Sequence, residues 1–382
     1  MSTTLLTRKA IALKRSRFEE ILQRALAGEE LSVEDGELLL QAEGKKMQAL
    51  VQTADEMRRC KVGDIVTYVK NRNINFTNIC TGSCKFCAFR RSPGDPEGYV
   101  LSPEQIEAKV LEALEFGATE VCVQGGLHPD FCLEDYLEIL RTIRRAAPDI
   151  HIHAFSPSEI NHIAEQENMT LDEVIKALRG EGLNSVPGTA AEILVDRVRS
   201  IICPQKITTE QWIKTIKACH RLGLPTTATV MYGHVETPLE LAQHMAIIRD
   251  IQRETRGFTE FVLLGFVSRN TPLGREINVG PTPDLVQSLR LHAVARLMLA
   301  GYINNIQASW VKLGTFGAQL MLNAGANDLG GTLMEESITK AAGGELSSMS
   351  AEQLEQLILE IGRIPCQRTT TYELVQRHRE CC

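Results

Sequence analysis

Three cysteines crowd into the stretch Asn75-Phe76-Thr77-Asn78-Ile79-Cys80-Thr81-Gly82-Ser83-Cys84-Lys85-Phe86-Cys87-Ala88-Phe89. The spacing C-x3-C-x2-C lets thiolates from one loop reach three corners of a cubane iron–sulfur cluster. A fourth thiolate would close such a cluster for electron transfer alone, whereas three leave one iron open to another ligand. S-adenosylmethionine (SAM) suits that position. It binds through its amino and carboxylate groups, accepts one electron at its sulfonium and releases a 5′-deoxyadenosyl radical. Phe86 and Phe89 are placed to shield the cluster from water. The same thiols could instead bind zinc with a distant fourth ligand, or sit unliganded in a core. Cys60, Cys122, Cys132, Cys203, Cys219 and Cys366 show no paired spacing, and Cys381-Cys382 read as incidental. Eleven cysteines in a chain of this size do not describe a disulfide framework, which belongs to small secreted domains.

Such chemistry needs a rigid scaffold, and the texture of the chain predicts one. Short apolar runs, many β-branched, occur at 74–79, 120–124, 151–155, 184–186, 226–231, 261–266, 304–308 and 328–329. Amphipathic stretches such as SPEQIEAKVLEALEFG and CLEDYLEILRTIRRAAP separate them and end in Gly or Pro. Alternation of this kind predicts an α/β fold with a parallel sheet and crossover helices. Eight units predict a TIM-type (β/α) barrel with its site at the C-terminal ends of the strands. The residues of chemical interest do follow the runs: Cys80, Gly125-Gly126, Ser156-Pro157, Gly188-Thr189 and Tyr232-Gly233-His234. Residues 1–70 read as a helical N-terminal extension, 71–335 as the barrel and 336–382 as a helical closing segment.

The composition suits a large buried core: 382 residues, 43% hydrophobic and 23% charged. Net charge is -7 with both signs interspersed, so neither nucleic acid nor a membrane surface is an expected partner. The N-terminus MSTTLLTRKAIALKRSRFEE lacks a signal-peptide core, and no apolar run reaches membrane-spanning length; a cytoplasmic protein is expected.

The cysteine loop resembles that of the radical SAM superfamily. NRNINFTNIC, CAFRR, QGGLHPDF, HIHAFSPSEI, GTAAEILVDRVRSIICPQKI, TTATVMYGHVET and NAGANDLGGTLMEESI resemble one branch of it, over roughly residues 71–345. That branch holds the tyrosine-dependent enzymes of deazaflavin biosynthesis and the radical enzymes of the futalosine route to menaquinone. GTAAEIL and PTTATVMYGHVET favour the second-subunit family of the deazaflavin (F0) synthases. The resemblance implies a radical SAM barrel with one 4Fe-4S cluster on Cys80, Cys84 and Cys87, and SAM. It implies that L-tyrosine is fragmented and its 4-hydroxybenzyl group added to 5-amino-6-(D-ribitylamino)uracil. A reducing electron donor and a partner, F0 synthase subunit 1, would complete the system. A futalosine-route enzyme and a non-catalytic iron–sulfur electron carrier are the competing readings.

The resemblance also suggests roles for single residues. Gly125 and Gly126 would present backbone carbonyls to the SAM amino group, or simply make a tight turn. Glu192 and Arg199, two helical turns apart, would share one helix face; Arg199 would meet the SAM carboxylate or else form a surface ion pair. Thr229, Met231, Gly233 and Glu236 occupy the frame G-x-I-x-G-x-x-E with two departures, Thr for Gly and Met for Ile. Met231 and Tyr232 would lie near the adenine. His151 and His153 face one side of a strand, towards substrate if that side is the lumen, with His153 as a proton donor or acceptor; both could equally be structural. Ser156 is expected on the cofactor. Glu159, His234, Gln307, Ser309 and Asn327 are expected on substrate, with Lys312 beside them. Asp328 is expected to be catalytic, or to cap the next helix.

Overall fold

The computed structural model describes residues 16–346 and 348–377; Cys381 and Cys382 lie outside this range. Its strands are β1 (Ile65–Val69), β2 (Asn71–Asn75), β3 (Glu120–Gln124), β4 (His151–Ala154), β5 (Thr226–Tyr232), β6 (Phe258–Gly265), β7 (Ile306–Ala308), β8 (Asp328–Gly331), β9 (Ile364–Arg368) and β10 (Leu374–Arg377). β5 is buried at every position, as a parallel strand covered on both faces requires. On β2 and β3, Ile74, Val121 and Val123 join the core beneath the helices, while Asn75 and Gln124, one position out of phase, face inwards.

Two sheets form, in the orders β10-β9-β1-β8-β7-β6-β5 and β2-β3-β4. Only Lys70 separates β1 from β2, so together they act as one interrupted strand that pairs with β8 below and β3 above. Parallel bridges His153↔Ser185, Val186↔Thr226 and Arg72↔Met334 join the two sheets into a closed ring. The helices lie outside it, which makes a (β/α) barrel.

Three expectations need adjustment. The run at 184–186 contributes isolated bridges, not a full strand. The first lumen strand ends at Asn75, because the Thr77 hydroxyl donates to the Tyr99 carbonyl at 2.6 Å and draws the chain out of the sheet. The segments read as helical contain strands: β1 before residue 70, and β9 and β10 after the helix Ala351–Glu360. Gly63, at φ 66°, ends the helix Gly44–Val62 and frees the β-branched run IVTYV to enter the sheet. The same edge then recruits β9, in register from Ile65↔Ile364.

The N-terminal helices begin with reciprocal caps, Ser16 with Glu19 and Ser32 with Asp35. Val33–Leu40 packs on helix Pro238–Thr255, and Gly44–Val62 on helix Leu285–Met298, extending the main core. Among the described residues, no helix is long and apolar enough to cross a membrane.

Candidate active site

A cavity of about 270 Å³ opens at the C-terminal ends of the strands. Cys80, Cys84 and Cys87 line it from the loop after β2, Gly125 and Gly126 from the loop after β3, and Ser156 and Glu159 from the loop after β4. Glu192, Lys206, Met231 and Lys312 complete its polar and apolar wall with Phe86, Phe89 and Phe266.

The cysteine loop is clamped from several sides. Cys80 N–H donates to the Arg91 carbonyl at 2.9 Å, Lys85 N–H to Ile202 at 2.8 Å, and Leu273 N–H to Lys85 at 2.8 Å. Arg90 donates to the Gly82 carbonyl, and the Cys87 N–H reaches back to Cys84 at 3.2 Å. All three thiols are free and partly exposed to the cavity. Burial pushes the Cys84 thiol up to about 12, against the opposing charge of Lys206; a bound metal would reverse this by taking the thiolate. Among the described residues, no three Cys, His, Asp or Glu side chains are placed to share one ion. Three free thiols on one loop beside one cavity are the donor chemistry that an iron–sulfur cluster takes. The donor set fits an iron–sulfur cluster.

Both glycines of the next loop are required by close approach. A Cβ on Gly125 would lie 2.4 Å from the Phe76 ring, and one on Gly126 2.2 Å from the Ile79 carbonyl oxygen. Gly125 N–H donates to Glu159 at 3.1 Å. Glu159 also accepts from the Ser156 N–H at 2.6 Å and hydroxyl at 2.7 Å, closing the N-terminus of helix Pro157–Gln166. Burial raises Glu159 to about 7, against those hydrogen bonds.

Ala190 and Glu192, which line the cavity, adopt left-handed backbone at φ 67° and 46°, as does the core residue Phe155 at φ 57°, next to Ser156. Strained non-glycine residues of this kind collect at functional sites. Glu192 pairs with Lys206 at 2.6 Å, and the Lys206 ammonium lies 5.3 Å from the Phe86 ring centroid. Burial opposes the charge on Lys206, but Glu192 together with Cys84 and Cys203 outweighs it and holds the group above the usual lysine range. Glu192 precedes the short helix Asp196–Ile202, so it does not share a helix face with Arg199. Arg199 instead points its guanidinium at the carbonyls of Ala190, Ala191 and Ile207, bracing the loop from behind.

Other expected site residues lie elsewhere. Met231 lines the cavity, but Tyr232 turns outwards and donates to the Ser288 hydroxyl at 2.7 Å. His234 is locked between Glu236 at 3.0 Å and the Met231 carbonyl at 3.0 Å. Ser309 precedes helix Trp310–Leu322 and makes no side-chain cap. The rest form a polar plug beneath the lumen. His151 and His153 share the Ser185 hydroxyl at 2.7 and 2.6 Å, and burial pushes His153 down to about 4, against the opposing charge of Glu120. Asp328 meets Arg368 at 2.6 and 3.1 Å, Gln307 donates to Glu260 at 3.1 Å, and Asn327 accepts from Arg296 at 2.7 Å. None of these lines the cavity. His151, Asn327 and Asp328 sit at or just before strand starts, and His153 and Gln307 within their strands, all below the loops that follow the strand ends and make the rim. Lys206 and Gln124, which donates to Thr189 at 2.8 Å, were not singled out from the sequence. Gln124 could have been found as the last strand residue before the glycine pair.

Comparison with known proteins narrows the chemistry. Residues 74–248 match the model of the radical SAM superfamily, and 255–381 match the CofH/MqnC C-terminal region. A 5-amino-6-(D-ribitylamino)uracil–L-tyrosine 4-hydroxyphenyl transferase of Methanococcus maripaludis is 50% identical over 86% of this chain and 92% of its own. Relatives of the same name from Methanococcoides burtonii (48% identical; 94% of this chain, 99% of theirs) and Methanothermobacter thermautotrophicus (45%; 95% and 99%) match as well. The chain belongs to this transferase family of radical SAM enzymes. Membership implies a 4Fe-4S cluster and SAM. The fold is shared more widely. The FeFe-hydrogenase maturase HydG of Carboxydothermus hydrogenoformans superposes with a TM-score of 0.71 at 18% identity, over 95% of this chain and 81% of that one. Methylornithine synthase gives 0.67 at 18% identity, over 90% and 97%.

Proposed function

We propose that the rim cavity holds a 4Fe-4S cluster on Cys80, Cys84 and Cys87, and that the chain transfers the 4-hydroxybenzyl group of L-tyrosine to 5-amino-6-(D-ribitylamino)uracil. The observation that carries this is the convergence of three free thiols and the Gly125-Gly126 turn on one cavity at the strand ends, in a chain close to named transferases. The C-terminal family model covers two groups and does not choose between them; the curated relatives favour the transferase over a futalosine-route enzyme.

When bound, the cluster and SAM supply a carbon-centred radical that takes hydrogen from L-tyrosine. The chain's work is containment. Phe86, Phe89, Leu264 and Phe266 keep water away, and the clamped loops hold the reactants in near contact. Gly125 and Gly126 offer backbone to SAM, with Ser156, Glu192 and Met231 around it, while Glu159 lies on the substrate side. Arg199, Tyr232 and His234 act as positioning residues behind the wall. His151, His153, Gln307, Asn327 and Asp328 hold the base of the barrel. An external electron donor and a companion subunit that cyclises the product belong to the same reading, as does a cytoplasmic setting where thiols stay reduced.

The test is anaerobic reconstitution with iron and sulfide, dithionite reduction, and incubation with SAM, L-tyrosine and 5-amino-6-(D-ribitylamino)uracil. Tyrosine-dependent 5′-deoxyadenosine with a hydroxybenzyl–uracil adduct, seen by mass spectrometry, supports the reading. Deoxyadenosine without the adduct retains SAM cleavage and rejects these substrates. No deoxyadenosine from a loaded cluster rejects both.

A further inference from the structure

Two lysines line the cavity, and their circumstances differ. Lys206 is neutralised by Glu192 at 2.6 Å. Lys312 stands in the first turn of helix Trp310–Leu322, directly after β7, with its backbone N–H on the Ser309 carbonyl at 3.0 Å. The Trp310 indole donates to the Gly331 carbonyl at 3.0 Å and pins that helix start to β8. Among the described residues, nothing forms a hydrogen bond or ion pair with the Lys312 ammonium. The carboxylates whose charge reaches it are engaged elsewhere, Glu192 on Lys206 and Glu336 on the Thr339 N–H at 2.7 Å. A half-buried ammonium that faces the cavity without a protein partner leaves its donors for an incoming carboxylate.

Resting on the transferase reading, two reactants carry carboxylates. The SAM carboxylate would be occupied at the cluster, and the uracil has none. We propose that Lys312 is the anchor for the α-carboxylate of the amino-acid substrate, and so selects a free amino acid over a decarboxylated or amidated analogue. β7 stands across the mouth from β3, with β8 and β2 between them on one side, which puts Lys312 opposite Gly125 and Gly126.

The test uses reconstituted holoenzyme with SAM, left unreduced so that it binds without turning over. Calorimetry compares L-tyrosine with L-tyrosinamide on the wild type, Lys312→Met and Lys312→Arg. The wild type should prefer L-tyrosine on the order of 100-fold, the worth of a buried charge pair. Lys312→Met should bring L-tyrosine down to the amide's affinity and leave the amide unchanged, and Lys312→Arg should recover part of the preference. Equal binding of the two ligands by the wild type overturns the proposal without any variant. So does a Lys312→Met that weakens both alike, or that weakens SAM instead. A loaded wild type that binds neither ligand overturns the transferase reading, and this proposal falls with it.

Discussion

Gly126 has no room for a methyl group, because the Ile79 carbonyl oxygen would lie 2.2 Å from it and belongs to backbone that cannot rotate away. Gly126→Ala should therefore cost about 2 kcal/mol of stability and displace the loop carrying Cys80. Urea unfolding and iron content per chain would read the two effects separately. Cys84 is different, since it is a partly buried loop residue at the edge of the main core, outside every strand and helix. Cys84→Ala should abolish cluster loading and SAM cleavage while the circular dichroism of the chain stays that of the wild type; a variant that kept its iron would remove Cys84 from the ligand set. These cysteines were legible because their spacing along the chain is their spacing in one loop. The Glu192–Lys206 pair was not, because the return of the chain through helix Asp196–Ile202 creates it.

The hairpin of β9 and β10 explains why several polar residues expected on substrate are absent from the cavity. Its turn inserts Arg368, Thr370 and Tyr372 under the lumen. Thr370 donates to Glu120 and Tyr372 to Glu260, both at 2.5 Å. The Arg368 guanidinium lies 4.0 Å from the Tyr372 ring centroid and pairs with Asp328. Arg368→Met should cost about 3–5 kcal/mol, since it strands two buried carboxylates. Arg368→Met with Asp328→Asn should regain much of that in the same denaturant titration; no regain would mean that packing, not charge, holds the plug. Eight periodic units were readable from the sequence, but a closing hairpin was not. IPCQR is too short and mixed to declare a strand until β1 offers it an edge.

At the scale of the barrel, buried titratable groups set the response to acid. Burial holds His153, His220 and His292 down to about 4, and His244 to about 3, against an ordinary 6.5. Between 6.5 and 4 the unfolded chain takes protons that the native chain refuses, so stability falls as pH falls. Glu159 and Glu260, both raised to about 7 by burial, act in the opposite sense, but among the described residues they are two against five, since burial lowers His151 as well. The urea midpoint should be lower at pH 5 than at pH 7, and a midpoint that rose instead would show that the carboxylates dominate. From the sequence alone came the three-cysteine loop, the alternation that demands a parallel barrel, and the rule that its chemistry lies at strand ends. Those are local or periodic properties, written in neighbouring residues. Only the tertiary structure decided which inward-facing polar residues reach the rim and which fall to the base. Alternation tells a side chain to point inwards but not how high it stands, and height depends on where each strand begins, how the strands stagger and what closes the floor.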